Sequence, residues 1–235
     1  MTTSEILQEL EMYGDVQTKK TLMRHGAKEP FFGVKVADLK KILKKTKKNH
    51  ELSLELFNTG NSDAMYLAGL MADENKITES QLNNWVEKAY WYYLCEFAVP
   101  WVAAETKFGF ELGLKWIQSD KENIASAGWA TFANVAGVKQ DTDLDINAYS
   151  QLLDKVANEI HTSKNRVRHT MNGFIIATGI FIQELTDKAK IVSAKIGSVT
   201  VDMNGTACKV PSATEYIAKA YEKGQIGKKR KTARC

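Results

Sequence analysis

Residues 34–48, VKVADLKKILKKTKK, indicate the fold class of this chain. Val36, Leu39, Ile42 and Leu43 recur at the spacing of one helical face, and the lysines fall on the other side. The segment therefore predicts an amphipathic helix over 34–48 that buries its apolar stripe against a neighbouring element.

The same periodicity recurs outward from this segment in both directions. It predicts about a dozen short helices joined by brief polar breaks. The predicted helices cover 4–13, 16–25, 34–48, 51–57, 62–72, 78–89, 91–104, 108–119, 122–137, 148–160, 165–183, 187–196 and a last helix after Pro211. Antiparallel pairs of roughly 30–45 residues are typical of helical solenoids. We therefore expect an all-α superhelix, a HEAT-like or ARM-type solenoid, as a single domain over 1–224.

One stretch near the C-terminus departs from the helical pattern. Val199, Thr200 and Val201 are β-branched or β-favouring, and Asn204-Gly205 suits a tight hairpin turn. This pattern predicts a small β-hairpin at about 197–211. The hairpin is expected either to pack on a neighbouring helix or to act as a probe of a partner, with Lys195 before it and Lys209 on its return strand.

Positive charge is concentrated at the two ends of the chain. Residues 1–48 hold 11 Lys and Arg against 6 Asp and Glu, residues 223–235 hold 6 against none, and residues 49–222 hold 15 against 22. This asymmetry favours a polyanionic partner such as nucleic acid, although lysines that only solvate a helix face would give the same pattern. Residues 225–235 are predicted to be a disordered basic tail that could bind phosphate without specificity.

Several classes of protein are disfavoured by the sequence. Three cysteines and four histidines are too scattered for a disulfide framework or a metal site, so we expect no metal. The sequence contains no glycine-rich phosphate loop and no alternation of strands and helices, which disfavours a dinucleotide-binding fold. We expect no cofactor. No apolar stretch is long enough to span a bilayer, and no signal peptide precedes Ile6, which predicts a cytoplasmic protein without a membrane partner.

A family resemblance adds to this interpretation. The segment RHGAKEPFFGVKVADLK, residues 24–40, resembles the N-terminal signature of the AlkD-like DNA alkylation repair family, and residues 91–100 and 167–182 continue the likeness. The resemblance implies a solenoid of HEAT-like repeats whose basic concave face holds duplex DNA, with active members that excise cationic alkylated purines. Residues 196–211 look like the AlkF-like subgroup, which has an inserted β-hairpin and is thought to bind branched DNA without base excision.

Excision of a cationic base needs a carboxylate near the sugar and benefits from electron-rich rings. The resemblance implies an aspartate one helical turn after a tryptophan. One turn after Trp91 lies Cys95, whereas the register of Tyr92 gives Glu96, a longer carboxylate that could substitute or could be a helix-face charge. The resemblance also implies an arginine and a second tryptophan on later helices. Residues 122–138 contain no Lys or Arg, residues 162–210 contain no Trp, and Trp129 is the one aromatic candidate for a second wall.

The sequence therefore favours a protein that recognises DNA shape over a glycosylase, with Glu96, Trp91, Tyr92 and Trp129 as the catalytic candidates if excision occurs. A solenoid that binds a basic protein through its acidic middle is a further alternative. Phosphate contacts are expected from a set of basic residues, of which Arg166 and Arg168 lie at a helix start. The set is Lys19, Lys20, Arg24, Lys35, Lys164, Arg166, Arg168, Lys195 and Lys209.

Overall fold

The computed structural model describes every residue of the chain, from Met1 to Cys235. Thirteen α-helices account for its regular structure, together with one π-helix and two short 3₁₀ turns. The helices are α1 (Thr3–Met12), α2 (Val16–Arg24), α3 (Val36–Thr46), α4 (His50–Asn58), α5 (Ser62–Met71), α6 (Glu79–Lys88), the π-helix (Tyr93–Ala98), α7 (Val99–Glu105), α8 (Gly109–Trp116), α9 (Glu122–Val138), α10 (Ile146–Glu159), α11 (Asn165–Phe181), α12 (Thr186–Ile196) and α13 (Ala213–Glu222). No helix combines the length and apolar character needed to cross a membrane.

The helix starts follow local capping chemistry. Thr78 accepts a hydrogen bond from the Gln81 N–H while the Gln81 side chain accepts one from the Thr78 N–H, which is a capping box. At α13 the Ser212 hydroxyl accepts from the Glu215 N–H at 3.3 Å. These bonds satisfy N–H groups in the first turn of each helix, which have no carbonyl acceptor within the helix.

Helix α9 lies at the centre of the structure. It packs against α11, α8, α7 and the π-helix, so nearly its whole circumference is buried from Ile124 to Gly137. A helix surrounded on all sides has no solvent face for charged side chains, which explains why residues 122–138 lack Lys and Arg. The buried apolar side chains form one cluster that runs from Ile6 to Ala233, in an arrangement consistent with a HEAT-like solenoid.

The joint between α2 and α3 is fixed by a buried carboxylate. Asp63 accepts backbone N–H bonds from Phe32, Gly33 and Val34 at 2.7, 3.0 and 3.2 Å. Burial raises the pKa of Asp63, against the opposing effect of these three donors. Gly33 has a φ of 83° and its α-carbon lies so close to the Lys19 backbone that a β-carbon would clash. The joint thus sets the position of α2 relative to the rest of the molecule.

The predicted helix over 91–104 is divided in the structure into the π-helix and α7. Pro100 has no N–H to donate to the carbonyl four residues earlier, and its ring would crowd that carbonyl. The preceding backbone widens instead, so that the Val99 N–H donates to the carbonyl of Leu94, five residues back. Widening of this kind changes which side chains point inward, and one of them is Glu96.

The prediction of a β-hairpin at 197–211 is wrong, because the structure contains no β-strand. The turn itself forms: Asn204 and Gly205 have positive φ, and the Thr206 N–H donates to the Met203 carbonyl at 3.1 Å. Its two flanks do not pair. The Asn165 side chain on α11 instead donates to the Asp202 carbonyl at 2.9 Å and accepts from its N–H at 2.7 Å. Residues 197–211 are therefore a loop, called the 197–211 loop below, that is anchored to α11 by side chains.

The basic C-terminus was expected to be a disordered tail from residue 225. In the structure, residues 228–235 (the C-terminal segment) run back across the body of the protein, and Ala233 is only 2% exposed. The Arg230 N–H donates to the Gly137 carbonyl at 2.7 Å. A run of basic residues predicts disorder only when no acidic or carbonyl partners are near, and folding brings such partners here.

Candidate nucleic-acid interface

Glu96 is a buried carboxylate that faces the interior of a cleft. The π-helix turns it inward, and only 4% of the residue is exposed. A buried carboxylate without a partner would be strongly unfavourable. The partner is Arg166, in the first turn of α11.

Arg166 binds Glu96 through two parallel hydrogen bonds. Its Nε lies 2.7 Å from Oε1 and its Nη2 lies 2.6 Å from Oε2. Burial lowers the pKa of Arg166, but the hydrogen bonds and charge of Glu96 outweigh it, so that the pKa is raised above the ordinary value. This bidentate geometry is the strong form of the Arg–carboxylate pair.

Three more groups contact the Glu96–Arg166 ion pair. The Arg166 guanidinium lies over the Tyr92 ring, 4.8 Å from its centroid. Its Nη1 contacts Met203 Sδ of the 197–211 loop at 3.6 Å. His169 Nδ1 lies 3.4 Å from Glu96 Oε2, one helical turn after Arg166. The pair is thus enclosed by the π-helix, α11 and the 197–211 loop.

An aromatic cavity of about 390 Å³ opens beside this ion pair. We call it the aromatic cleft. Trp91 forms part of its wall and is fixed by a hydrogen bond from Nε1 to Ser62 Oγ at 2.7 Å and by stacking on Tyr93, with ring centroids 4.7 Å apart. The lining residues are His25, Gly26, Tyr90, Trp91, Tyr92, Phe97, Arg166, His169, Met203, Asn204, Cys208 and Lys209.

The catalytic candidates from the sequence do not all meet at this cleft. Trp91 and Tyr92 line it and Glu96 is bound to Arg166 at its edge. Trp129 is 1% exposed and packs against Phe174 with ring centroids 5.2 Å apart, so it is a core residue. Cys95 is fully buried, and burial raises the pKa of its thiol well above the usual value.

The basic candidates divide into those at the cleft and those elsewhere. Lys209 and Arg166 line the aromatic cleft, and Arg24 faces the turn of the 197–211 loop in a neighbouring cavity. Lys19 pairs with Glu29 at 2.7 Å, and Arg168 Nη2 lies 3.4 Å from Asn165 Oδ1. Lys164 donates to the Asp120 carbonyl, and Lys195 Nζ lies 3.5 Å from Asn158 Oδ1. The side chains of Lys20 and Lys35 are exposed.

Sequence reasoning did not single out several residues of this site. His25 lies in the segment 24–40 and Phe97 in the segment 91–100, both of which carry the family resemblance, but nothing local marked these two residues or Tyr90 as part of one cleft. His169 did carry a signal, because it follows Arg166 by three residues and so lies on the same helix face. No group of three or more His, Cys, Asp or Glu side chains is arranged to hold a metal ion.

Residues 6–194 match the model of the DNA alkylation repair enzyme family. The chain belongs to this family. It is 33% identical over 226 residues to an uncharacterized protein of Listeria monocytogenes, a match that covers 94% of this chain and 97% of the relative. A related uncharacterized protein of Listeria innocua is 32% identical over the same share of both chains.

The chain is also similar to a protein of known structure. Its protein belongs to what is described as a new family of proteins related to the HEAT-like repeat DNA glycosylases with affinity for branched DNA structures. The two chains align over 100% of each, with 36% sequence identity and a TM-score of 0.92. The likeness therefore covers the whole length of both chains.

Proposed function

We propose that this member of the DNA alkylation repair enzyme family binds branched or distorted DNA by its shape and does not excise bases. One observation carries the proposal: the carboxylate that would assist excision is held by Arg166 through both of its oxygens. The affinity for branched DNA described for the structural neighbour supports the same conclusion. The proposal places the chain in the AlkF-like subgroup, without a hairpin, and its cytoplasmic location stays a prediction.

The ion pair argues against excision on energetic grounds. A carboxylate that stabilises an oxocarbenium-like sugar must direct its negative charge at that sugar. The charge of Glu96 is compensated by a guanidinium 2.6 Å away. Separating a buried pair of this kind costs about 3–5 kcal/mol, because each charge is left without its partner. Glu96 is therefore better suited to positioning Arg166 than to catalysis.

Phosphate binding is assigned to the basic groups on the rim of the aromatic cleft. Arg24 and Lys209 approach it from α2 and from the 197–211 loop. Lysine and arginine side chains that neutralise phosphates release counterions, so affinity should fall steeply with salt. Nothing among these residues forms a code for base edges, which favours recognition of DNA shape.

Mobility-shift titrations test this proposal. Linear duplex, a fork and a four-way junction of equal length are compared at two salt concentrations. Tighter binding of the fork and the junction than of the duplex, with a steep salt dependence, is the expected result. Negligible binding of all three would overturn the proposal and favour a protein-binding scaffold.

Base excision is the second candidate function, favoured by the electron-rich rings of Trp91 and Tyr92 in the wall of the aromatic cleft, whose lining residue Arg166 binds Glu96. Incubation with methylated duplex, followed by chromatography of released bases, tests it. Release of alkylated purine by the wild-type protein would establish excision, and its loss in Glu96→Gln at a temperature where that variant is shown to be folded would overturn our assignment of Glu96. Absence of release from the wild-type protein is the outcome we expect.

A further inference from the structure

The C-terminal segment is held against the body of the protein by polar contacts of its basic side chains. The Lys229 ammonium donates to the Ala136 and Phe181 carbonyls at 2.9 and 2.7 Å, at the C-terminal ends of α9 and α11, and lies 2.6 Å from Asp141. A cation is favoured at that end of a helix. The Arg230 guanidinium lies over the Phe181 ring.

Arg234 anchors the far end of the segment. Its side chain is 9% exposed and its Nη2 lies 3.1 Å from carboxylate oxygens of both Glu74 and Glu105. The Ala233 N–H also donates to Glu105, at 2.8 Å. The segment therefore spans the molecule from the ends of α9 and α11 to the turn after α5.

These anchors change the charge of the surface that the segment covers. The segment faces three carboxylates: Lys229 lies against Asp141, and Arg234 lies against Glu105 and against Glu74, which Lys48 also contacts at 2.6 Å. Lys228, Arg230 and Lys231 remain exposed on the same segment. Because its five Lys and Arg residues outnumber these three carboxylates, the segment gives this surface positive charge that attracts phosphate.

The segment lies directly beside the aromatic cleft. A second cavity, of about 360 Å³, is bordered by Arg230, Arg234 and Cys235 on one side and by Glu96 on the other. Phe97 and His169 line both this cavity and the aromatic cleft. Phe97 is 36% exposed. Two basic rims, one with Arg24 and Lys209 and one formed by the C-terminal segment, therefore flank an exposed aromatic ring.

We infer that the C-terminal segment binds the phosphates of a second arm of branched DNA, with the branch point over Phe97 and His169 and the first arm on the rim of Arg24 and Lys209. This inference rests on the proposed function. A single linear duplex follows one rim, whereas two arms that diverge from a branch can occupy both. An exposed aromatic ring between the rims suits bases left partly unstacked at a branch.

The test compares Lys228→Gln/Lys231→Gln with the wild-type protein on linear duplex and on a four-way junction over a range of salt. Both lysines are exposed and neither side chain holds an ion pair, so the anchors stay in place. We expect the junction to bind about tenfold more weakly and the duplex affinity to be unchanged. The slope of log affinity against log salt concentration for the junction should decrease in magnitude by about two. The control is Lys44→Gln/Lys115→Gln, which removes the same charge from exposed sites on α3 and α8, where Lys115 lies 4.0 Å from Glu79. This control should leave the preference for junction unchanged.

The possible failures are distinguishable. If the wild-type protein shows no preference for the junction, the proposed function fails and this inference fails with it. If the wild-type protein prefers the junction but the segment variant binds it equally well, the inference alone is overturned and the segment is only a structural strap. Equal weakening on duplex and junction would likewise overturn the assignment to a second arm. The midpoint of thermal unfolding should be the same for the variant and the wild-type protein, so that any loss of binding is due to the lost charges and not to unfolding.

Discussion

Glu96 and Arg166 lie 70 residues apart in the chain and are joined by two hydrogen bonds of 2.6 and 2.7 Å. The π-helix brings one partner inward, and the first turn of α11 presents the other. Their pairing links the middle of the solenoid to its C-terminal half at the edge of the aromatic cleft. In the proposed function, a carboxylate in such a pair positions an arginine and does not take part in excision.

Loss of this ion pair should destabilise the protein. Glu96→Gln leaves the Arg166 guanidinium, which is 20% exposed, without its counterion. We expect the free energy of unfolding to fall by about 3 kcal/mol, as measured by urea denaturation followed by circular dichroism. The control is Glu87→Gln, which breaks the exposed pair with Lys121 and should cost at most about 1 kcal/mol. Equal effects of the two changes would contradict the structural role of Glu96.

Neutralising the rim of Arg24 and Lys209 should weaken DNA binding generally. In Arg24→Gln/Lys209→Gln we expect about tenfold lower affinity for duplex and junction alike, with a salt slope lower by about two. The measurement is fluorescence anisotropy with labelled DNA at several salt concentrations. The Lys44→Gln/Lys115→Gln protein is again the control, and an equal loss in that protein would show that only net charge matters.

The three cysteines should differ sharply in reactivity. Cys208 and Cys235 are exposed, whereas Cys95 is buried and its thiol pKa is raised well above the usual value by burial. Because the thiolate is the reactive form, Cys95 should not react at pH 8 while the protein is folded. A chromogenic disulfide reagent should titrate two thiols in the native protein and three in denaturant. Rapid reaction of a third thiol in the native protein would contradict the burial of Cys95.

Docking of the C-terminal segment should depend on Gly137. A β-carbon at this position would lie 2.5 Å from Arg230 Nη2, so Gly137→Ala displaces that flexible side chain. We expect trypsin to remove the C-terminal segment faster from this variant than from the wild-type protein, as followed by mass spectrometry. Gly173→Ala is the control, since a β-carbon there meets nothing within 4 Å. Unchanged cleavage of Gly137→Ala would mean that Arg230 does not hold the segment.

The sequence predicted most helices correctly because apolar periodicity and capping residues, which determine them, lie within each helix. The apolar stripe of α3 and the capping box at Thr78 are visible in the residues themselves. The 197–211 loop shows where this reasoning fails. Val199–Val201 and Asn204-Gly205 favour a hairpin, and the turn does form, but the Asn165 side chain satisfies the backbone of Asp202 in place of a second strand. Such a competing partner lies outside any local window.

The amino-acid sequence by itself determined the helical solenoid and the family that it resembles, since helical periodicity and the segment 24–40 require no coordinates. It wrongly added a β-hairpin at 197–211, and the absence of Lys and Arg from residues 122–138 only predicted that excision chemistry is incomplete. Only the tertiary structure decided how the remaining charges act. Glu96 is paired with Arg166, and the basic C-terminal segment neutralises Glu74, Glu105 and Asp141 across the molecule. The physical reason is that the energy of a charge depends on its neighbours and its burial, and both are set by folding.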